Sequence, residues 1–270
     1  MSARPTKAII IAAGRGRRLA PYTDEMPKCM VPVGGMPILG RQLAAFRAHG
    51  VSEVVIIRGY LGGVLEARAG ELGGPVRFVD NRDWEVNNIL ESLFCAEAEL
   101  EGPVVLTYSD IVFTPAVVGA LMDAPGDAAL VIDRQFRDIY DGRTEHPLPE
   151  AEVADLDPAG NVHRVGKRSL PPDEAFGEFI GLMKLSAEGS RWMRDAWRAL
   201  REEYRGREYQ PFQRADRFRN AYLTDILQHL IDAGRPMVPV PIDGSWREID
   251  TVQDLQRAEE LLQSPEEEWQ

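Results

Sequence analysis

Two hydrophobic rhythms take turns along this chain. Short unbroken apolar runs, as in KAIIIAA from Lys7, SEVVIIRGY from Ser52, PVRFVDN from Pro75 and DAALVID from Asp127, predict buried strands. Between them apolar residues recur at helical spacing, in ILGRQLAAFRAHG from Ile38 with its stop at Gly50, in residues 61–70, and from Asn88 to Leu100. GPVVLTYSDIVF, from Gly102, is a further strand that runs off its end into Ser109 and Asp110. Strand and helix alternating in this order predict an α/β, Rossmann-like, mostly parallel sheet with helices on both faces.

The rhythm breaks between 134 and 180. Arg134 to Pro149 is polar and aromatic without a period, and AEVADLDPAGNVHRVG reads as a hairpin turning at Pro158, Ala159 and Gly160. We read 134–180 as a small β insertion within one domain spanning 1–270. GEFIGLMKLS then resumes strand character, residues 186–205 and 221–233 are helical, and MVPVPIDGSWREID leads into the helix TVQDLQRAEELLQ. The tail SPEEEWQ is expected to fray. There is no internal repeat and no low-complexity segment.

The first strand empties into IIIAAGRGRRLAPYTDEMPKCMVPVGG, from Ile9 to Gly35. A GxxxxGK[ST] phosphate loop is absent. A dinucleotide fingerprint needs a third glycine where Leu19 stands, and Pro21 and Pro27 prevent an uninterrupted helix from starting here. A long loop folded over a polyphosphate remains. Gly14 and Gly16 let backbone N–H groups approach phosphate oxygens, Arg15, Arg17 and Arg18 add bidentate donors, and Lys28 can meet a further phosphate as a point charge.

This stretch is similar to the signature of the nucleotidyltransferases that make nucleoside-diphosphate sugars and alcohols: a strand, AAGxGxRL, a threonine, then PK. Ala12, Ala13, Gly14, Gly16, Arg18, Leu19, Thr23, Pro27 and Lys28 match it. The resemblance implies a GT-A-like fold and attack of a phosphate oxygen on the α-phosphorus of an NTP, with release of pyrophosphate. It implies Lys28 and Arg18 as the catalytic pair, the first on the acceptor phosphate and the second on the β/γ-phosphates.

That chemistry calls for Mg²⁺, which takes one or two carboxylates plus phosphates and water. Asp110 sits just past a strand, and Asp250 precedes the terminal helix, where spacing alone favours a helix N-cap. The resemblance puts both on the metal. His49, His146, His163 and His229 look scattered and are read as surface or packed residues.

DNRDWEVNNILESLFCA gathers Asn87, Asn88 and Ser92 where a helix begins, a place where capping alone would use such residues. The segment resembles the choline-phosphate and phosphonate cytidylyltransferase branch, which carries NN…SL. That points to CTP, with Ser109 also on the nucleotide. The same branch resemblance runs through YSDIVF, GEFIGLMKLS and WREIDTVQDL. It implies that the insertion holds the acceptor, with Asp133, Tyr140, Arg143, Lys167 and Glu178 as candidate contacts. A quaternary ammonium would want an aromatic cage from Phe136, Tyr140, Phe176 and Phe179; a primary amine would want Asp133, Asp138 or Glu178. The acceptor expected is 2-aminoethylphosphonate, 2-hydroxyethylphosphonate or a phosphocholine-like monoester.

Charge sharpens the picture. With 31 Lys and Arg against 43 Asp and Glu, the formal net charge is −12, which argues against a nucleic-acid or membrane partner. An anionic substrate must then be drawn in by the local charge of the loop. Cys29 and Cys95 form no metal-spaced cluster, and the early apolar run from Ala8 to Ala13 is too short for a signal core or a span. A cytoplasmic setting is expected, with homodimerisation left open. Against the cytidylyltransferase reading stand a sugar-1-phosphate nucleotidylyltransferase, a catalytically dead nucleotide-binding subunit and, more distantly, a NAD-binding protein.

Overall fold

Three largely buried apolar strands and one more exposed edge strand, β5, build the parallel half of the sheet. These are β1 (Lys7–Ala12), β4 (Glu53–Arg58), β5 (Arg77–Asp80) and β6 (Val104–Tyr108); between β1 and β4 come the two-residue strands β2 (Pro32–Val33) and β3 (Met36–Pro37), which pair with each other. β1 lies parallel between β4 and β6, with Ile10 opposite Ile56 on one side and Thr107 on the other. The computed structural model describes residues 4–263, so the expected frayed tail from Ser264 lies outside the described residues.

Alternation along β1 assigns the two cores. Ile9 and Ile11 face α3 (Ile89–Cys95), α6 (Ala187–Glu203) and α7 (Leu223–Asp232), packing with Leu93, Trp197 and Ile226. Ala8, Ile10 and Ala12 face α1 (Ile38–Ala48) and α4 (Pro115–Asp123), packing with Leu43, Phe46 and Val118. The short helix α2 (Gly62–Ala67) adds Leu65 to the second core. Helices therefore cover both faces, as the alternation predicts.

The other half of the sheet is antiparallel, so the sheet is mixed. β11 (Gly177–Leu185) is the hub: it runs antiparallel to β6, to β8 (Ala128–Asp133) and to β9 (Glu152–Leu156). β9 and β10 (Val162–Lys167) form the expected hairpin, at the end of a sheet ordered β10-β9-β11-β6-β1-β4-β5. β12 (Val238–Ile242) lies parallel to β8. Between β8 and β9 the chain makes the short helix α5 (Phe136–Tyr140).

GPVVLTYSDIVF is not one strand. It breaks at Ser109 and Asp110 into β6 and β7 (Ile111–Phe113), and β7 leaves the main sheet to pair with β13 (Trp246–Glu248). Gln42 of α1, fully buried, donates from Nε2 to both Tyr108 O and Ile111 O at 2.8 Å and so pins that break. The chain closes with α8 (Val252–Gln263), and no described helix is long and apolar enough to cross a membrane.

Candidate active site

The loop after β1 is built around Lys28. Gly16 adopts φ 65°, a left-handed conformation that glycine takes without a Cβ clash, and a Cβ there would also come within 2.8 Å of Lys28 Cδ. Thr23 holds the turn closed by donating from Oγ1 to Gly16 O at 3.0 Å. Pro27 starts a short 3₁₀ turn, Lys28–Met30, that buries the lysine stem and sends its ammonium inward.

Two acids receive it. β7 and β13 pair with Ile111 opposite Glu248, and Ile249 N–H donates to Asp110 O at 2.8 Å, so residues far apart in sequence meet beside one turn. Lys28 Nζ donates to Asp110 Oδ2 at 2.8 Å and to Asp250 Oδ1 at 2.6 Å. Arg18 pairs with Asp250 Oδ2, and His146 Nδ1 lies 2.9 Å from the same oxygen. Burial pulls the Lys28 ammonium down, yet Asp110, Asp250 and Glu248 together outweigh it and hold its pKa above the ordinary lysine value. Burial likewise pushes the Asp250 carboxyl up, but Lys28, His146 and Arg18 overcome that and hold it far below the usual range.

Asp250 is not the cap of α8. That role falls to Thr251 and Asp254: Thr251 N–H donates to Asp254 Oδ2 at 2.8 Å, and Asp254 N–H donates to Thr251 Oγ1 at 3.1 Å, a reciprocal capping box. The Asp250 carboxylate is thereby free for Lys28.

The acids suit a divalent cation. An ammonium already sits between Asp110 and Asp250, and Asp110 Oδ1 is buried without a partner. His146, Glu248 and Asp250 also bring one ligand atom each to within 4.8 Å of the others. Glu248 and the buried His146 were not legible as site residues. Both reach Asp250 only through the tertiary fold: His146 comes from the segment after α5, and Glu248 ends β13, with Asp250 beyond the strand.

Two cavities meet at this seam. The first, about 370 Å³, is lined by Ala13, Gly14, Gly16, Arg17, Ser109 and, at its far end, Asn87, Asn88 and Ser92. Ala12 instead lies in the core beneath, and the exposed Arg15 stacks its guanidinium on Tyr60, 5.3 Å from the ring centre; neither lines the cleft. Asn81 orders the far end. It is buried, its Nδ2 donates to Asn87 Oδ1 at 2.9 Å and to Ser92 Oγ at 2.7 Å, and Asn87 Nδ2 returns a bond to Asn81 Oδ1 at 3.0 Å. Asn88 donates to Asn220 O at 2.9 Å and does not cap α3 with its side chain.

The second cavity, about 230 Å³, shares Arg18, Asn88, Tyr108, Asp110 and Asp250 with the first. Tyr140, Lys167 and Glu178 line it, joined by Glu152, Tyr222 and Glu248. Tyr140 donates its hydroxyl to Glu178 Oε1 at 2.8 Å, which leaves Glu178 Oε2 buried and unpartnered. Burial, then the charge of Glu248, raises the Glu178 carboxyl well above its ordinary value. Burial raises Glu152 to about 7, against the opposing pull of Lys167 and hydrogen bonds from Tyr108 and Thr224.

Two of the expected acceptor contacts lie elsewhere. Asp133 is fully buried and accepts from Gln135 N–H, Gly244 N–H and Trp246 Nε1 at 3.0, 2.9 and 2.8 Å, so it fastens β8 to the β12–β13 turn. Arg143 is locked to Asp254 and Glu248, at 2.6 and 2.7 Å, behind the cavity wall. Of the expected aromatic cage, Tyr140 and Phe179 line the cavity, beside Tyr108, Tyr222 and Trp246, while Phe136 packs in a cluster with Tyr140, Ala151 and Val153 and Phe176 packs on the main core; Asp138 is exposed outside the cavity.

Residues 8–235 match the model of the MobA-like NTP transferase domain. The chain belongs to that family. It is 29% identical to the CTP:phosphoglutamine cytidylyltransferase of Campylobacter jejuni over 255 residues, 92% of this chain and 97% of that one. It is 29% identical to the 2-aminoethylphosphonate cytidylyltransferase of Lancefieldella rimae over 210 residues, 75% of this chain and 77% of the other. Among solved structures, the inositol-1-phosphate CTP transferase of T. maritima superposes with TM-score 0.73 at 19% identity, covering 98% of this chain and 99% of that chain, a likeness of fold. As a member of the MobA-like NTP transferases, this protein is a nucleotidyltransferase.

Proposed function

We propose that the protein transfers CMP from CTP to a small phosphonate or phosphomonoester that carries an amine, with Mg²⁺ at Asp110 and Asp250. The observation that carries this reading is Lys28, which lines the first cavity and whose ammonium is bonded to Asp110 and Asp250, the two aspartates that both cavities share. CTP would lie along the first cavity, its triphosphate against Gly14, Gly16, Arg17 and Arg18 and its base near Asn87 and Ser92. An acceptor oxygen attacks the α-phosphorus, a new P–O bond forms, and the bond to the pyrophosphate oxygen breaks with the electron pair leaving on pyrophosphate. Lys28 neutralises and aligns the acceptor dianion, and Arg18 draws charge toward the leaving group. When bound, Mg²⁺ would offset charge building on the α-phosphate and pyrophosphate.

The amine is favoured by Glu178 Oε2, which is buried with no partner on a residue that lines the second cavity. The name borne by the Lancefieldella relative, a 2-aminoethylphosphonate cytidylyltransferase, supports the same class, and the phosphoglutamine of the Campylobacter relative's name shares the amine. Residues 134–180 then act as the acceptor-binding part of the domain.

Incubating the protein with each NTP, Mg²⁺ and a panel of 2-aminoethylphosphonate, 2-hydroxyethylphosphonate, phosphocholine and hexose 1-phosphates, while following pyrophosphate, tests the reading. Release is expected with CTP and an aminophosphonate. Turnover confined to hexose 1-phosphates, or tight CTP binding with no turnover on any acceptor, would overturn it.

A further inference from the structure

The end of the first cavity that holds Asn87 and Ser92 also has an aromatic wall. Trp84 stands in the turn between β5 and α3, partly buried, and lines the cavity there. Tyr108, the other aromatic on that cavity's wall, belongs to the seam with the second cavity.

Trp84 is held from two sides. Asn81 Oδ1 accepts from Asp83 N–H at 3.1 Å, and Asp83 O accepts from Val86 N–H at 2.9 Å and Asn87 N–H at 3.1 Å, so the turn that carries the indole is closed. On the other side, a Cβ on Gly59 would come within 2.7 Å of Trp84 Cβ and Cγ, so the stem of the side chain lies directly on that backbone. Tyr60, the next residue, donates its N–H to Ala13 O at 3.0 Å and directs its hydroxyl at Thr23 O and Asp24 O, at 3.0 and 3.1 Å. It is thereby bolted to both ends of the glycine–arginine loop. The Tyr60 and Trp84 rings meet edge to face, with 5.4 Å between centres and 63° between planes. Such a contact leaves at least one indole face clear of Tyr60.

The polar groups beside Trp84 are largely spent within the protein. Asn87 exchanges two bonds with Asn81, Ser92 Oγ accepts from Asn81, and Asn88 Nδ2 donates to Asn220 O. A base placed here meets few free hydrogen-bonding groups and one broad π surface. Stacking on an aromatic ring grips any base, because every base has a π face, and does little to choose between them.

Resting on the nucleotide site proposed above, we infer that Trp84 is the platform on which the base of the bound nucleotide stacks. It supplies affinity without selecting the base. Gly59 and Tyr60 act through it as positioning residues, keeping the platform in register with the loop that takes the phosphates.

Calorimetric titration of the full chain in Mg²⁺ tests this, with CTP, with every other NTP that the unmodified protein binds, and with tripolyphosphate, which has no base. Trp84→Ala should weaken each nucleotide by about tenfold or more, all by the same factor, and leave tripolyphosphate within about twofold. Trp84→Phe keeps an aromatic face and should bind CTP within about threefold of the unmodified protein. CTP should also quench tryptophan emission, and the quench should be lost in Trp84→Phe, which retains four of the five tryptophans. Equal weakening of tripolyphosphate would show that Trp84 only props the loop through Tyr60, and unequal factors among nucleotides would make it a selector; either overturns the inference. So does a quench that survives in Trp84→Phe, and this measurement decides alone if Trp84→Ala does not fold. All of these arms read binding: if CTP binds and no acceptor turns over, the transfer reading fails while the stacking inference is still decided by the titrations.

Discussion

At the scale of single residues, Lys28 decides the site. In the unliganded protein its ammonium is the cation between Asp110 and Asp250. Lys28→Met should lower kcat by about 100- to 1000-fold, the loss typical of one preorganised donor. It also removes the ammonium that bridges the two carboxylates, leaving only Arg18 on Asp250. Binding of Mn²⁺, followed by its paramagnetic signal, should therefore tighten in the variant while turnover falls; weaker binding would contradict the shared-cation picture. Gly16 supports the same atom. Gly16→Ala puts a Cβ into the Lys28 stem from a left-handed backbone position, so a kcat loss of about tenfold or more is expected with little change in secondary structure by circular dichroism.

At the scale of elements, the site is made where strands leave regular geometry. β6 stops at Tyr108, and Gln42 holds the break open by bonding the carbonyls on either side. The departing β7 meets β13 and carries Asp110 to Asp250. β11 makes its own accommodation: its register with β8 shifts between Phe179 and Met183, and Gly181 sits within the shift at φ 80°. A Cβ there would come 2.1 Å from Tyr108 Cδ2, in a ring that lines both cavities. Gly181→Ala should cost about 3 kcal/mol in urea unfolding, from the clash and the strained backbone together. An unchanged midpoint would show that the Tyr108 ring moves freely.

At the scale of the whole molecule, buried acids in the second cavity make stability depend on pH. Glu152 holds its proton to about 7 in the folded state against an ordinary value near 4.5. The folded protein binds that proton more tightly than the unfolded chain, so its contribution is present below pH 4.5 and lost as pH rises through 7. Glu152→Gln removes the titration and keeps an acceptor for the Tyr108 hydroxyl. Its Tm should match the unmodified protein at pH 4.5 and exceed it by roughly 5 °C at pH 8 by calorimetry. Equal Tm values at both pH values would show that Glu152 titrates normally. The alternation of runs such as KAIIIAA with helical spacing was enough to determine the covered sheet, because burial on both faces and amphipathic periodicity are local properties of the chain. The spacing of Gly14, Gly16, Arg18, Thr23 and Lys28 likewise made the loop legible, since its backbone turns and donors lie within one stretch. Tertiary structure alone decided that Asp133 and Arg143 are fastenings, that Thr251 and Asp254 relieve Asp250 of capping, and that His146 and Glu248 face Asp250. Each of these depends on which distant group takes a side chain's hydrogen bond. Sequence spacing carries no information about that choice until β7 and β13 have paired.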